Sequence, residues 1–278
     1  MTTSELKKIA VEVRKGIITG TYHAKSGHPG GSLSAAEILV YLYFCEMNVD
    51  PEKPDNPDRD RFVLSKGHAA PALYAALAQR GYFPPELMKS LRHIGCYLQG
   101  HPDMRHAPGV DMSSGSLGQG FSAAIGMALA AKMDGKEYRV YSLAGDGEIQ
   151  EGQIWEAAMF ASTKNLDNLV LIVDNNNLQI DGEITLSSSP YPIDEKFAAF
   201  GFHVINIDGH DFDQIAAALK EAREVKGKPV AIIAKTVKGK GVSYMENQAG
   251  WHGKAPNDEE YAIAMEELKK AEEALCQK

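Results

Sequence analysis

Residues 138–152 read "YRVYSLAGDGEIQEG". The first seven form an apolar run that reads as a buried strand, and the run stops where Asp146 sits between two glycines. Paired glycines let the backbone turn sharply and approach another group closely. No lysine follows, as it would in a phosphate-cradling P-loop. An acid placed here would repel a phosphate unless a positive charge lay between them.

The next apolar run, "NLVLIVD", runs into Asn175, Asn176 and Asn177. From Asp146 to Asn176 is 30 residues, the length of one β-α-β crossover, so the two strand ends fall side by side. Either turn alone is weak evidence, since Gly and Asn are ordinary turn residues. Together they offer a carboxylate, an amide oxygen and backbone carbonyls, which suits Mg²⁺, or Ca²⁺ as a substitute. Magnesium uses few protein oxygens and completes its shell with phosphate and water. A metal ion is therefore the positive object expected between Asp146 and a phosphate.

Working outward, strands are expected at "RFVLS" (61–65), "HVINI" (203–207) and "PVAIIAKTV" (229–237). Helices are expected at "IWEAAMFASTKN" (154–165), "DEKFAAFG" (194–201) and "FDQIAAALKEAREV" (212–225). Thr2 and Glu5 form a capping-box pattern ahead of Leu6, Ile9, Ala10, Val13 and Ile17 at helical spacing. Ser34 and Glu37 form a second such pattern, opening "AAEILVYLYFCEM" and putting Cys45 in the core. "PALYAALAQRG" reads as a helix stopped by Gly81, and "GQGFSAAIGMALAAKM" as a helix over 118–133. Strands alternating with helices imply an α/β fold, a mostly parallel sheet with helices on both faces. Ligands in such sheets bind outside the carboxyl ends of the strands. With no linker and no internal repeat, residues 1–278 read as one domain.

A net charge of −8 gives no support to a nucleic-acid or anionic-membrane partner. Three cysteines without a CxxC pair argue against a disulfide framework or zinc knuckle. No apolar signal core and no membrane-length run is present, so a cytoplasmic location is expected. The acidic tail reads as a solvated helix capped by Asn257 and Glu260.

Four of the nine histidines stand beside glycine in loops: His28 in "SGHPGG", His68 in "SKGHAA", His101 in "QGHPD" and His252 in "GWHGKAP". Their spacing is not that of a metal-binding helix. It suits hydrogen bonds to hydroxyls and proton movement near neutral pH. His210 reads as structural, beside Asp211 as a helix cap, and His93, His106 and His203 as surface or packing, while His23 stays undecided. "SSGSLGQG" (113–120) would bring backbone and Leu117 against a flat ring. Glu151 is either an exposed helix-starting residue or part of the site.

Taken together, "SGHPGG", "RFVLSKGHAAPALYAAL", "GHPD", "GSLGQG", "GDGEIQEGQIWEAAMFA" and "DNNNLQIDG" resemble the diphosphate-binding half of transketolase, in order and spacing, from about residue 5 to 257. The chain is most similar to the N-terminal subunit of a split transketolase. The resemblance implies a thiamine diphosphate-binding fold. It implies that Asp146 and Asn176 hold Mg²⁺ by side chain and Leu178 by its carbonyl. His68, Gly147 and His252 would contact the diphosphate; Gly115, Leu117 and Ile180 would meet the cofactor rings. His28, His101 and His252 would face sugar hydroxyls and the developing alkoxide, and Glu151 would join a carboxylate proton network. The implied reaction moves a two-carbon ketol unit from a ketose to an aldose, as in the pentose phosphate pathway.

The resemblance also implies a separate C-terminal subunit carrying the pyrimidine-binding domain, in a heterotetramer of two plus two. Lys66 departs from the asparagine that full-length members often carry, and the sequence after the second glycine of "SGHPGG" departs too. Two other readings compete. A 2-oxo acid dehydrogenase α-like chain would lack the SGHPG and GHA histidines. A non-catalytic cofactor-binding module would have no need of them.

Overall fold

A computed structural model describes residues 1–276. Its strands are β1 (Arg61–Leu64), β2 (Val140–Gly145), β3 (Leu169–Asn175), β4 (Leu178–Gln179), β5 (Gly182–Glu183), β6 (His203–Asp208) and β7 (Val230–Lys235). Its helices are α1 (Thr3–Ala24), α2 (Pro29–Leu33), α3 (Ala36–Tyr41), α4 (Ala70–Arg80), α5 (Gln119–Met133), α6 (Gly152–Thr163), α7 (Ile184–Ser187), α8 (Ile193–Ala199), α9 (Phe212–Glu224) and α10 (Asp258–Cys276). Five strands form one parallel sheet in the order β1-β2-β3-β7-β6, while β4 and β5 make a small antiparallel hairpin.

The strands are apolar at nearly every position because both faces of the sheet are covered. Val170 and Ile172 of β3 pack into one core with residues of α1, α3, α4 and α9. Their neighbours Leu169, Leu171 and Val173 pack into a second core with residues of α5, α6 and α8. A Leu171→Ala change would empty a fully buried position, at a cost of about 2–5 kcal/mol.

Local signals end the helices where the sequence places them. Thr2 and Glu5 close a reciprocal capping box on α1, and Asn257 and Glu260 close one on α10. The Asp211 carboxylate accepts from the N–H groups of Asp213 and Gln214 at the start of α9. α4 stops at Gly81, whose φ of 103° is left-handed.

The Ser34–Glu37 capping box does not form. Ser34 Oγ donates instead to the Asp174 carboxylate at 2.6 Å, and Glu37 accepts from Arg14 at 2.7 Å. A buried aspartate and a buried arginine need these oxygens more than a helix start does. Cys45 is exposed rather than core. Residues Leu42–Glu46 wind as a π-helix, closed by Met47 N–H donating to the Leu42 carbonyl. The wider turn swings Cys45 out and turns Glu46 inward to accept from the Tyr141 hydroxyl at 2.8 Å. The loop expected after the first helix also holds a short helix, α2.

Candidate functional site

Four strand ends converge at the carboxyl edge of the sheet. β1 leads into Ser65, Lys66 and His68; β2 into Asp146 and Gly147; β3 into Asn176; β7 into Thr236 and Lys238. Two glycines let further loops close on them. A Cβ on Gly67 would lie 2.8 Å from Ser114 Oγ and 2.9 Å from the Gly115 nitrogen, so only glycine brings the His68 loop against Gly115. A Cβ on Gly30 would lie 2.8 Å from the Trp251 carbonyl, where the His28 and His252 segments meet.

The result is a cavity of about 360 Å³. Ten of the twelve residues singled out in the sequence line it: His68, Gly115, Leu117, Asp146, Gly147, Glu151, Asn176, Leu178, Ile180 and His252. His28 stands beside it, its ring 5.3 Å from that of His68 and 5.4 Å from that of His252. His101 packs over Gly115. A larger cavity of about 510 Å³ lies at the amino edge of the sheet, lined by groups that pair among themselves, such as Arg223 with Glu46 and Lys136 with Asp58.

The other histidines fall as read. Nδ1 of His210 lies 3.0 Å from Glu37, and its Nε2 accepts from the Val237 N–H, a structural role. His93, His106 and His203 sit on the surface, and so does the undecided His23.

The electrostatics of the cavity are uneven. Burial, reinforced by Lys66 and neighbouring imidazoles, pushes His68 well below the ordinary histidine range. Burial and then Arg92 lower His28 to about 4; burial and then Lys238 lower His252 to about 3. All three rings are therefore neutral near pH 7 and offer one donor and one acceptor each. Burial and the nearby Asp174 raise Asp146 to about 7. Its carboxylate accepts only from the backbone N–H groups of Gly147 and Asn177 among the described residues.

Three residues that shape the site were given no role in the sequence reading. Lys238, 2% exposed, donates to the Leu178 carbonyl at 3.0 Å and lies 3.0 Å from His252 Nδ1. Burial and the charge of Lys66 lower it to about 8. In "KTVKGKG" it looks like any surface lysine. Glu148 is buried and accepts from Ser65 Oγ, Gly118 N–H and Gly145 N–H, clamping three site loops. Asp174 pairs with Lys66. That pair had a signal: an acid closing an apolar strand needs a partner.

The residues present fit a divalent cation carrying an anion. Asp146 is a buried acid whose remaining lone pairs are free, and the Leu178 carbonyl already receives a cationic group from Lys238. Fold and site thus define a parallel α/β structure with a polar cavity at its strand ends, whose lining suits an anionic ligand and a cation.

Comparison with known proteins specifies the class. Residues 7–273 match the family model described as transketolase, thiamine diphosphate binding domain. The chain is 51% identical over 244 residues to the 6-deoxy-6-sulfo-D-fructose transketolase subunit SqwG of Clostridium sp. (strain MSTE9), covering 88% of this chain and 89% of that protein. It is 43% identical over 262 residues to one of the subunits of the apulose-4-phosphate transketolase of Phocaeicola vulgatus, covering 94% and 93%. Its structure matches the crystal structure of transketolase from Campylobacter jejuni with a TM-score of 0.90 at 32% identity, over 99% of this chain and 46% of that one. The chain spans about half the length of the solved transketolases it matches. It belongs to the transketolase family, as a transferase of transketolase type whose matched part is the thiamine diphosphate binding domain.

Proposed function

We propose that this chain is the diphosphate-binding subunit of a two-chain transketolase that uses thiamine diphosphate and Mg²⁺. The observation that carries the reading is the meeting, in one cavity, of a buried acid, a buried ammonium and two neutral imidazoles, with the neutral His28 ring beside them. Asp146, Asn176 and the Leu178 carbonyl would hold the metal. His68, Gly147 and His252 would hold the diphosphate, with Lys238 beside them as a further cation. Gly115, Leu117 and Ile180 would contact the rings; Ile180 lines the cavity yet is 67% exposed, leaving an apolar surface at its mouth.

When bound, the thiamine ring supplies the electron sink for a two-carbon fragment. The chain's own residues do the rest. His28, His101 and His252 donate to sugar oxygens; His28 and His101, neutral at pH 7, each keep a ring nitrogen free to accept a proton, while Lys238 engages Nδ1 of His252 and leaves its Nε2–H to donate. Glu151, at the edge of the cavity, would pass protons toward a neighbouring site.

Both subunit-type relatives bear names that imply a partner chain. We infer that this chain likewise works with a C-terminal subunit holding the pyrimidine ring, in a heterotetramer of two copies of each, the common two-fold closure. The greater identity to the sulfofructose-type relative favours a sulfonated ketose as donor over a phosphorylated one. The test is to purify the chain, add thiamine diphosphate and Mg²⁺, and titrate in the partner while assaying transfer from 6-deoxy-6-sulfofructose and from fructose 6-phosphate. Activity should rise to a maximum near equal stoichiometry and be greater with the sulfonated donor. Full activity without the partner would refute the two-chain reading, and equal use of both donors would refute the substrate assignment.

A further inference from the structure

Arg92 holds a backbone conformation that arginine seldom adopts, with φ at 62°. Left-handed backbone costs a non-glycine residue about 1–2 kcal/mol, and glycine or asparagine fills such positions more cheaply. Its N–H donates to the Leu98 carbonyl at 2.8 Å, which fixes the turn. The guanidinium reaches two loops at once. Nη1 donates to Ser26 Oγ at 2.9 Å, two residues before His28, and Nη2 lies 3.4 Å from the Gly100 carbonyl, one residue before His101. Gly100 lies so flat on the guanidinium that a Cβ there would sit 2.9 Å from Arg92 Cζ. The loops bearing His28 and His101 are thus joined by one side chain.

We propose that Arg92 is a positioning residue for the two-carbon transfer: its guanidinium ties the His28 loop to the His101 loop and fixes both imidazoles at the substrate end of the cavity. The role in transfer rests on the function proposed above; the tie between the loops does not. Electrostatics agree with the geometry. After burial, Arg92 is the largest influence keeping both rings neutral. His28 also faces His101, Lys238, His68 and His252, and His101 faces Arg92, with Asp103 two residues on, engaged by Arg105 and His106.

Arg92→Asn removes the guanidinium and keeps a residue that tolerates the left-handed turn, so the chain should fold with an undiminished thermal midpoint. In the enzyme reconstituted with its partner, kcat/KM for the ketose should fall about tenfold or more, as expected for a misplaced catalytic group. The thiamine diphosphate Kd should stay within about twofold of wild type. Arg92→Lys, which restores the charge without the fork, should recover part of the loss, and Ser26→Ala should give a smaller loss of the same kind. In the isolated chain, NMR titration of the imidazoles should show His28 and His101 moving up toward the ordinary histidine range in Arg92→Asn. Ring titrations that do not move would overturn the proposal whatever the activity, as would a loss of cofactor affinity matching the loss of turnover. If the wild-type assembly transfers no two-carbon unit, the functional reading fails, and the titrations still decide whether Arg92 governs both rings.

Discussion

Two aspartates close neighbouring strands of the sheet and have opposite lives. Asp174 of β3 stands opposite Gly145 of β2, one residue before Asp146. Burial would raise the Asp174 carboxyl, but the Lys66 ammonium and the hydroxyls of Ser34 and Thr236 outweigh it and hold the acid below its ordinary range. Asp146 is nearly as buried and has only two backbone N–H groups, so burial and its neighbour's charge raise it to about 7. One charge is cancelled inside the chain and acts as a strut. The other has no counter-charge in the chain, so it is kept either by taking up a proton near neutral pH or, in the function proposed above, by a cation from solution.

The largest effect should come from breaking the strut. Asp174→Ala leaves Lys66, 1% exposed, without its counter-charge, and removing one member of a buried pair costs about 3–5 kcal/mol. The denaturant midpoint of the isolated chain checks this; a midpoint close to wild type would mean that the pair does not hold the strand ends together.

A second contrast divides the histidines along the cavity. In the assembled enzyme, His101→Ala should lower turnover about 10²-fold with cofactor affinity nearly intact. His68→Ala should instead raise the thiamine diphosphate Kd, since its ring lies deep in the cavity beside His252. Steady-state kinetics and calorimetry separate the two, and matching defects would erase the distinction between a cofactor end and a substrate end.

A smaller effect follows from pH. His28 is lowered to about 4, and His68 and His252 are lowered too, so the unfolded chain takes up these protons first as acid is added. Their contribution to stability is full above about pH 6.5 and is lost as the pH falls toward about 4. Asp146 acts in the opposite sense, since its raised value favours the folded state on protonation, and the buried carboxyls of Glu46, Asp111 and Glu148, raised by burial, act with it. The histidine part is read from a difference: on going from about pH 6.5 to about 4, the urea midpoint of the metal-free wild-type chain should change less favourably than that of His28→Gln. The smallest change is expected for Asp146→Ala in the same metal-free assay: removing an uncancelled buried acid should leave the midpoint unchanged or raise it.

This contrast explains which parts of the molecule could be read from sequence. The strands were legible because both-faced burial makes them continuous apolar runs, as in "NLVLIVD". The GDG turn alone was an ordinary turn, and became legible only with the asparagines that end the next strand one crossover away. The order β3-β7-β6 was not, because nothing local in β6 or β7 says which neighbour each will choose. Ser34 and Glu37 misled because a capping box and a pair of long-range buried partners use the same residue types. Cys45 misled because one π turn shifts every later side chain around the helix. Lys238 and Glu148 were silent because a lysine among lysines and a glutamate after a turn look solvated until tertiary packing buries them.

The central claim is that Asp146 is kept for a metal ion linking protein to diphosphate. Calorimetry of the assembled protein with thiamine diphosphate, with Mg²⁺ and with chelator, measures it directly. Wild type should bind with Mg²⁺ and lose binding in chelator, Asn176→Ala should bind more weakly, and Asp146→Ala should show no Mg²⁺-dependent binding. An Asp146→Ala protein that binds as tightly as wild type would contradict the claim.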